Sequence, residues 1–235
     1  MPPAKKLTRE DYADPRPTRV ARFFLGKFLC VQAADGYAEG MITETEAYGG
    51  PKDAACHGFG NRRTARTEIM FAPGGVAYVY FCYGMHRLFN IVTGPRDSPE
   101  AVLVRAVRIT AGHDLVRKRR KGVAENDWAS GPGRVCAALG IELHHNCHDL
   151  IGETIWIEDR GVKVPPREVN RTPRIGVNYA GAWSSSHGGL CGRQSKIFFC
   201  HPELVEGSLT IFAFRSGSRR WRSAGAVVAA VYDRR

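Results

Sequence analysis

A chain of 235 residues with 43% apolar content is long enough for one good-sized core or two small ones, and one domain is the default expectation. No stretch is long and apolar enough to span a bilayer, and the basic start MPPAKKLTRE lacks the apolar run of a secretory signal, so the protein is expected to be soluble and cytoplasmic. A net charge of +11 fits a polyanionic partner or a generically basic surface, while seven cysteines without a CxxC pair argue against a disulfide framework and a zinc ribbon.

Residues 1–17 are rich in proline and charge and read as a loose N-terminal arm. TRVARFFLGKFLC then reads as a short amphipathic helix running into a strand, and EGMITETEAY alternates as a second strand. On that strand Ile42, Glu44, Glu46 and Tyr48 are expected to share one face, since successive side chains point to opposite sides. TARTEIMF reads as one or two helical turns. VAYVYFCY and LFNIV are β-rich runs interrupted at Gly84, which predicts a hairpin with Tyr83, Gly84, Met85 and His86 near its tip. AVLVRAVRI, residues 101–109, reads as a central strand, apolar nearly throughout, with Arg105 as its charged interruption. HDLVRKRRKG begins as a helix and becomes a run of cations. SGPGRVCAALG has the better helix start, with Ser130 as N-cap, Pro132 in the first turn and Gly140 as the stop. ETIWIE is one more short strand. Beyond Trp183 the texture changes: SSSHGGLCGRQS is loop-like, and IFFCHPELVEGSLTIFAF is apolar but broken by a Pro-Glu turn. The functional domain is therefore expected over 1–183, with 184–235 an atypical C-terminal tail for which partial disorder is one reading.

Tyr78 and Tyr80 fall on one strand face, Phe81 and Tyr83 on the other, and such stripes serve either core packing or the stacking of nucleobases. Tyr83 stands apart, because a bulky ring beside glycine at a hairpin tip is poorly placed for a core and well placed as a wedge between base pairs. Glu44 and Glu46 fit a solvated strand face. They also fit a reactive one, since two same-side carboxylates beside aromatic surface repel and are desolvated, the condition that tunes a carboxylate for general-base work. Arg105 inside an apolar strand requires a carboxylate or a bound anion nearby. His57 alone reads as a structural histidine, and HHNCHD, residues 144–149, matches no closed zinc set, so no metal is expected. RKRRK, residues 117–121, is either a solvated run or a phosphate contact; Arg134 at a helix start beside Gly131 and Gly133 is the better phosphate ligand.

With these residues in view, the chain resembles the alkyladenine (3-methyladenine) DNA glycosylase family. ETEAYGGPKDAACH looks like that family's catalytic strand and turn, AYVYFCYGMHRLFNIV like its base-pocket and intercalating hairpin, and AVLVRAV like the strand carrying its active-site arginine. SGPGRVCAALGI and RIGVNYAGAW match further segments, so that the likeness covers about residues 7–183 in ordered blocks. The resemblance implies a mixed α/β (α+β) domain around a curved, largely antiparallel sheet with a protruding β-hairpin, akin to the barrel of a formyltransferase C-terminal domain. It implies Glu46 as the general base that activates water toward the deoxyribose C1′, with Arg105 helping to hold that water. Tyr48, His57, Tyr80, Asn90 and Met85 correspond to the flipped-base pocket, Tyr83 to the ring that fills the gap in the duplex, and Arg66 and Arg134 to phosphate contacts. No cofactor is implied. The partner is double-stranded DNA with damaged purines, bound by a monomer associated with the nucleoid. A cationic 3-methyladenine ring would gain a cation–π attraction from the tyrosine faces. The family's closing strand is not recognisable after residue 183, and the expectation is that it is either missing or replaced by IFF or TIFAF.

Two other functional classes fit part of the sequence. A non-catalytic or degenerate nucleic-acid-binding domain would share the basic charge and the wedge without cutting. A carbohydrate-acting hydrolase could use Glu44 and Glu46 but leaves the charge and the hairpin unexplained.

Overall fold

The computed structural model describes residues 3–174 together with the backbone of 195–199, all within the compact unit Met1–Pro202. Nine strands form one sheet, and every strand pair in it is antiparallel. In chain order they are β1 (Lys5–Lys6), β2 (Phe28–Ala33), β3 (Gly36–Tyr48), β4 (Ala77–Cys82), β5 (His86–Thr93), β6 (Glu100–Ala111), β7 (Ile155–Asp159), β8 (Val169–Pro173) and β9 (Ser195–Phe199). The main path runs β1-β7-β2-β3-β6-β5-β4. The mixed α/β, antiparallel architecture agrees with expectation, but the sheet does not close: among the described residues β1 and β4 end the main path and β8 ends the branch through β9, so no barrel forms.

β3 organises the sheet because it is long enough for three partners. Its first half pairs with β2, most of its length pairs with β6, and Glu44 to Glu46 also pair with β9 on the edge that β2 has vacated. The Ile-Phe-Phe run at 197–199 thus lies on a strand beside β3, whereas TIFAF falls outside the described residues. Pairing with β6 shifts register on both sides of Glu44. That bulge overturns one expectation: Ile42 lies in the main core with Ala47, and Thr45 bonds the carbonyl of Ala21, so Ile42 faces the core while Glu44, Glu46 and Tyr48 face away.

The helices α1 (Arg9–Tyr12), α2 (Pro17–Phe24), α3 (His113–Arg119) and α4 (Pro132–Leu139) are short. α2 buries Val20, Ala21 and Phe24 in the core through an apolar stripe at helical spacing. α4 starts with Pro132 at its first turn and stops at Gly140, whose φ of 75° suits only a residue without Cβ. Its N-cap is Gly131 rather than Ser130, because the Ser130 hydroxyl bonds Asp127 instead. The first residues are not a loose arm: Lys5 and Lys6 pair with β7, and Leu7 and Tyr12 are buried. Proline and charge in that stretch hid two apolar anchors.

The core lies between these helices and the sheet, with Phe89 of β5 fully buried within it. Truncating Phe89→Ala removes a ring with no room to collapse and is expected to cost about 3–5 kcal/mol, read as a fall in the urea unfolding free energy.

Candidate active site

The face of the β3–β6 pair that points away from the main core carries a compact charge cluster. Arg105, the interruption in β6, donates from Nε to Glu44 Oε1 at 2.8 Å and lies with Nη1 3.2 Å from Glu46 Oε1. One guanidinium therefore answers both carboxylates, and the partner that Arg105 required is a pair. Glu46 has 0% exposure, and the Tyr48 hydroxyl donates to its Oε2 at 3.1 Å. Burial, with the neighbouring Glu46 charge, holds the Tyr48 hydroxyl well above the usual tyrosine range, so it stays a protonated donor.

Tyr48 connects this cluster to a cavity of about 30 Å³ lined by Tyr48, Ala55, Cys56, His57, Met70, Tyr78, Tyr80, Asn90 and Ala101. The lining comes from the end of β3, the loop after it, the 3-10 turn Glu68–Phe71 and the strands β4 to β6. Alternation along β4 puts Tyr78 and Tyr80 on the same face, with ring centroids 5.1 Å apart. His57 packs edge-on to Tyr80 at 4.8 Å, and its Nδ1 lies 2.7 Å from the Tyr78 hydroxyl. Burial lowers the His57 pKa to about 4, helped by the positive charge of Arg66. Asn90, across β4 and β5 from Tyr78, is fixed by a bond from its Nδ2 to the Tyr78 carbonyl at 3.1 Å.

The expected site residues thus fall into three places. Glu46, Arg105, Tyr48, His57, Tyr80 and Asn90 meet at the cavity or beside it. Tyr83 and Met85 do not line it; they sit on the hairpin turn, 75% and 70% exposed, next to the half-exposed Phe81. Tyr83 adopts φ 50°, a left-handed conformation that a bulky side chain rarely takes. Of the two arginines, Arg134 is tied to Asp127 and Ser130 on the surface, and Arg66 lies 4.7 Å over the Tyr80 ring. Among the described residues no cluster of three or more His, Cys, Asp or Glu is arranged to hold a metal ion, HHNCHD included.

One element of the site was not foreseen. Asp53 and Arg174, both buried, form a two-pronged pair at 2.7 and 2.9 Å, and Arg174 also donates to the Ala47 carbonyl and stacks 4.6 Å over the Tyr48 ring. Asp53 in turn accepts from the backbone N–H groups of Gly49 and Ala55, which ties the loop carrying His57 to the end of β3. The only trace of this in the sequence was Arg174 at the head of RIGVNYAGAW; a partner 121 positions away leaves no local pattern.

A family model described as methylpurine-DNA glycosylase matches residues 11–186 of the chain. A Bacillus licheniformis protein named "Putative 3-methyladenine DNA glycosylase" is 42% identical over 181 residues, covering 77% of this chain and 90% of its own. A Myxococcus xanthus relative of the same name is 43% identical over 177 residues, with 75% and 85% covered. One from Bacillus subtilis is 39% identical over 162 residues, with 69% and 81% covered.

Two outcomes follow from this geometry. Asp53→Ala leaves a buried guanidinium without its carboxylate and is expected to lower the unfolding free energy by about 3–5 kcal/mol in urea titration. His57 is expected to stay neutral at physiological pH and to titrate only near pH 4, read from its ring resonance by NMR. The unfolded ring takes its proton near 6.5, so the stability that neutral His57 contributes is complete above about pH 6.5 and is lost as pH falls toward 4.

Proposed function

The chain belongs to the methylpurine-DNA glycosylase family, and from that premise we propose that it everts a damaged purine from duplex DNA and hydrolyses its N-glycosidic bond without a lyase step. The observation that carries this reading is the Glu46 carboxylate, held by Arg105 on one oxygen and by Tyr48 on the other, one hydrogen bond from an aromatic cavity. Glu46 takes a proton from water as that water attacks C1′. As the base departs, the sugar gains oxocarbenium character, which the same carboxylate stabilises by charge. Arg105 and the Tyr48 hydroxyl fix the two oxygens, so little reorganisation accompanies the proton transfer.

Tyr48, His57 and Tyr80 are assigned to the walls that stack on the everted base, and Asn90, clamped by the Tyr78 carbonyl, to the group that crowds a guanine amino substituent. Met85 is assigned to the rim of the site. The exposed Tyr83, already held in a strained turn, is assigned to the vacated space in the duplex. Its strain fits a residue kept for contact rather than for stability. Basic side chains, Arg134 among them, supply phosphate contacts. The reacting unit is a monomer in the bacterial nucleoid, with residues 1–183 as its glycosylase domain.

The decisive variant is Glu46→Gln, tested on duplexes carrying 3-methyladenine, hypoxanthine or 1,N6-ethenoadenine followed by alkaline cleavage of abasic sites. Excision is expected to fall on the order of 10²–10⁴-fold, the usual worth of a positioned base, while lesion-duplex binding persists. Excision at the wild-type rate would remove Glu46 from the chemistry. Wild-type binding with no cleavage at any lesion would favour the non-catalytic binding domain.

A further inference from the structure

Both tyrosines assigned to the cavity walls carry a guanidinium on their rings, Arg174 on Tyr48 and Arg66 on Tyr80. The two cations differ in compensation. Arg174 is neutralised by the buried carboxylate of Asp53. Arg66 has no carboxylate partner among the described residues, although its neighbour Arg63 pairs with both Glu68 and Asp97. Nor is Arg66 a stray surface side chain. The loop that carries it is pinned by Thr67, a buried hydroxyl that bonds the Arg62 carbonyl at 2.9 Å and accepts from the Thr64 N–H at 2.9 Å.

Arg66 does not itself line the cavity. Its charge reaches the cavity through the Tyr80 ring, and it also bears on Tyr78 and, by way of Tyr78, on His57. A cation on one face of an aromatic ring draws on the same electron density that would attract a cation to the other face. A second cation brought to the same ring is therefore disfavoured at short range, by an amount that solvent and salt reduce but do not remove. A neutral base stacking on the same ring suffers no such repulsion.

Resting on the glycosylase reading above, we propose that Arg66 is a specificity-determining residue: its charge over the Tyr80 ring, with no carboxylate partner among the described residues, biases the pocket against cationic purines and toward neutral ones. The Tyr80 ring, whose electron density would favour a methylated, positively charged base, already holds a cation of the protein's own. Deaminated or bridged purines, which are uncharged, are then the favoured class.

The test compares wild type, R66Q and R66K, with an exposed side chain as the altered position so that folding is retained, checked by thermal denaturation. Affinities are measured for two small ligands, the fixed cation 3,9-dimethyladeninium and neutral 9-methylhypoxanthine. In R66Q the cationic-to-neutral affinity ratio is expected to rise on the order of threefold to tenfold, while R66K keeps the wild-type ratio. The same shift is expected between single-turnover release of 3-methyladenine from methylated DNA and of hypoxanthine from a duplex. An unchanged ratio in R66Q, an equal rise in R66K, or no measurable binding of either ligand overturns the inference. Wild type that binds both ligands yet releases neither base overturns the glycosylase reading instead, and the affinity ratio still decides the role of Arg66.

Discussion

The site depends on Arg105 being partly buried in an apolar strand, where its charge requires carboxylate partners. A guanidinium in an apolar strand is costly without partners, and β3 supplies two, Glu44 and Glu46, which would repel each other without that cation between them. Neither side is stable alone, so the β3–β6 register is locked by charge as well as by hydrogen bonds. Two carboxylates gather around one guanidinium here, in a protein of net charge +11. Excess positive charge favours a polyanionic partner, and in the proposed reaction the Glu46 carboxylate would face a sugar that turns cationic.

This cluster needs the bulge in β3. Strict alternation would put Ile42 beside the two glutamates, and an apolar side chain would share their face. The register shifts around Glu44 turn Ile42 into the core and keep Glu44, Glu46 and Tyr48 outward. Alternation from Glu44 onward was legible in the sequence, as was the hairpin, because Gly84 interrupts an otherwise continuous β pattern. The bulge was not, since it is a property of pairing with β6 rather than of the strand's own residues. The same limit applies to Asp53 and Arg174, which are joined only by the fold. The N-terminal residues were misread for a different reason: composition averaged over the segment outweighed Leu7 and Tyr12, the two side chains that anchor it.

The resemblance to a family supplied roles that spacing could not. Aromatic alternation on β4 predicted that Tyr78 and Tyr80 share a face, but not that His57 would join them or that the Tyr78 hydroxyl would hold its ring. That contact makes Tyr78 part of the cavity's architecture, and its role could not be read from a strand pattern that fits core packing equally well.

A cavity of about 30 Å³ has room for a water or two, far less than a purine. In this state the walls satisfy one another: His57 packs on Tyr80, Tyr80 on Tyr78, and Tyr80 and Tyr48 each carry a guanidinium. A base that enters must therefore replace existing ring contacts rather than fill an open slot, and its net gain is the difference between its stacking and theirs. Small differences in a base's charge or shape then weigh more than they would in a preformed cavity, because the common part of the stacking energy cancels. Burial of Glu46 adds a second condition. Its carboxylate has no exposure, so in the proposed reaction the water that attacks must be brought to it by rearrangement of its neighbours. On the proposed function, an undamaged, well-paired purine costs more to extrude than a weakened one, and it must replace the same ring contacts without a compensating gain.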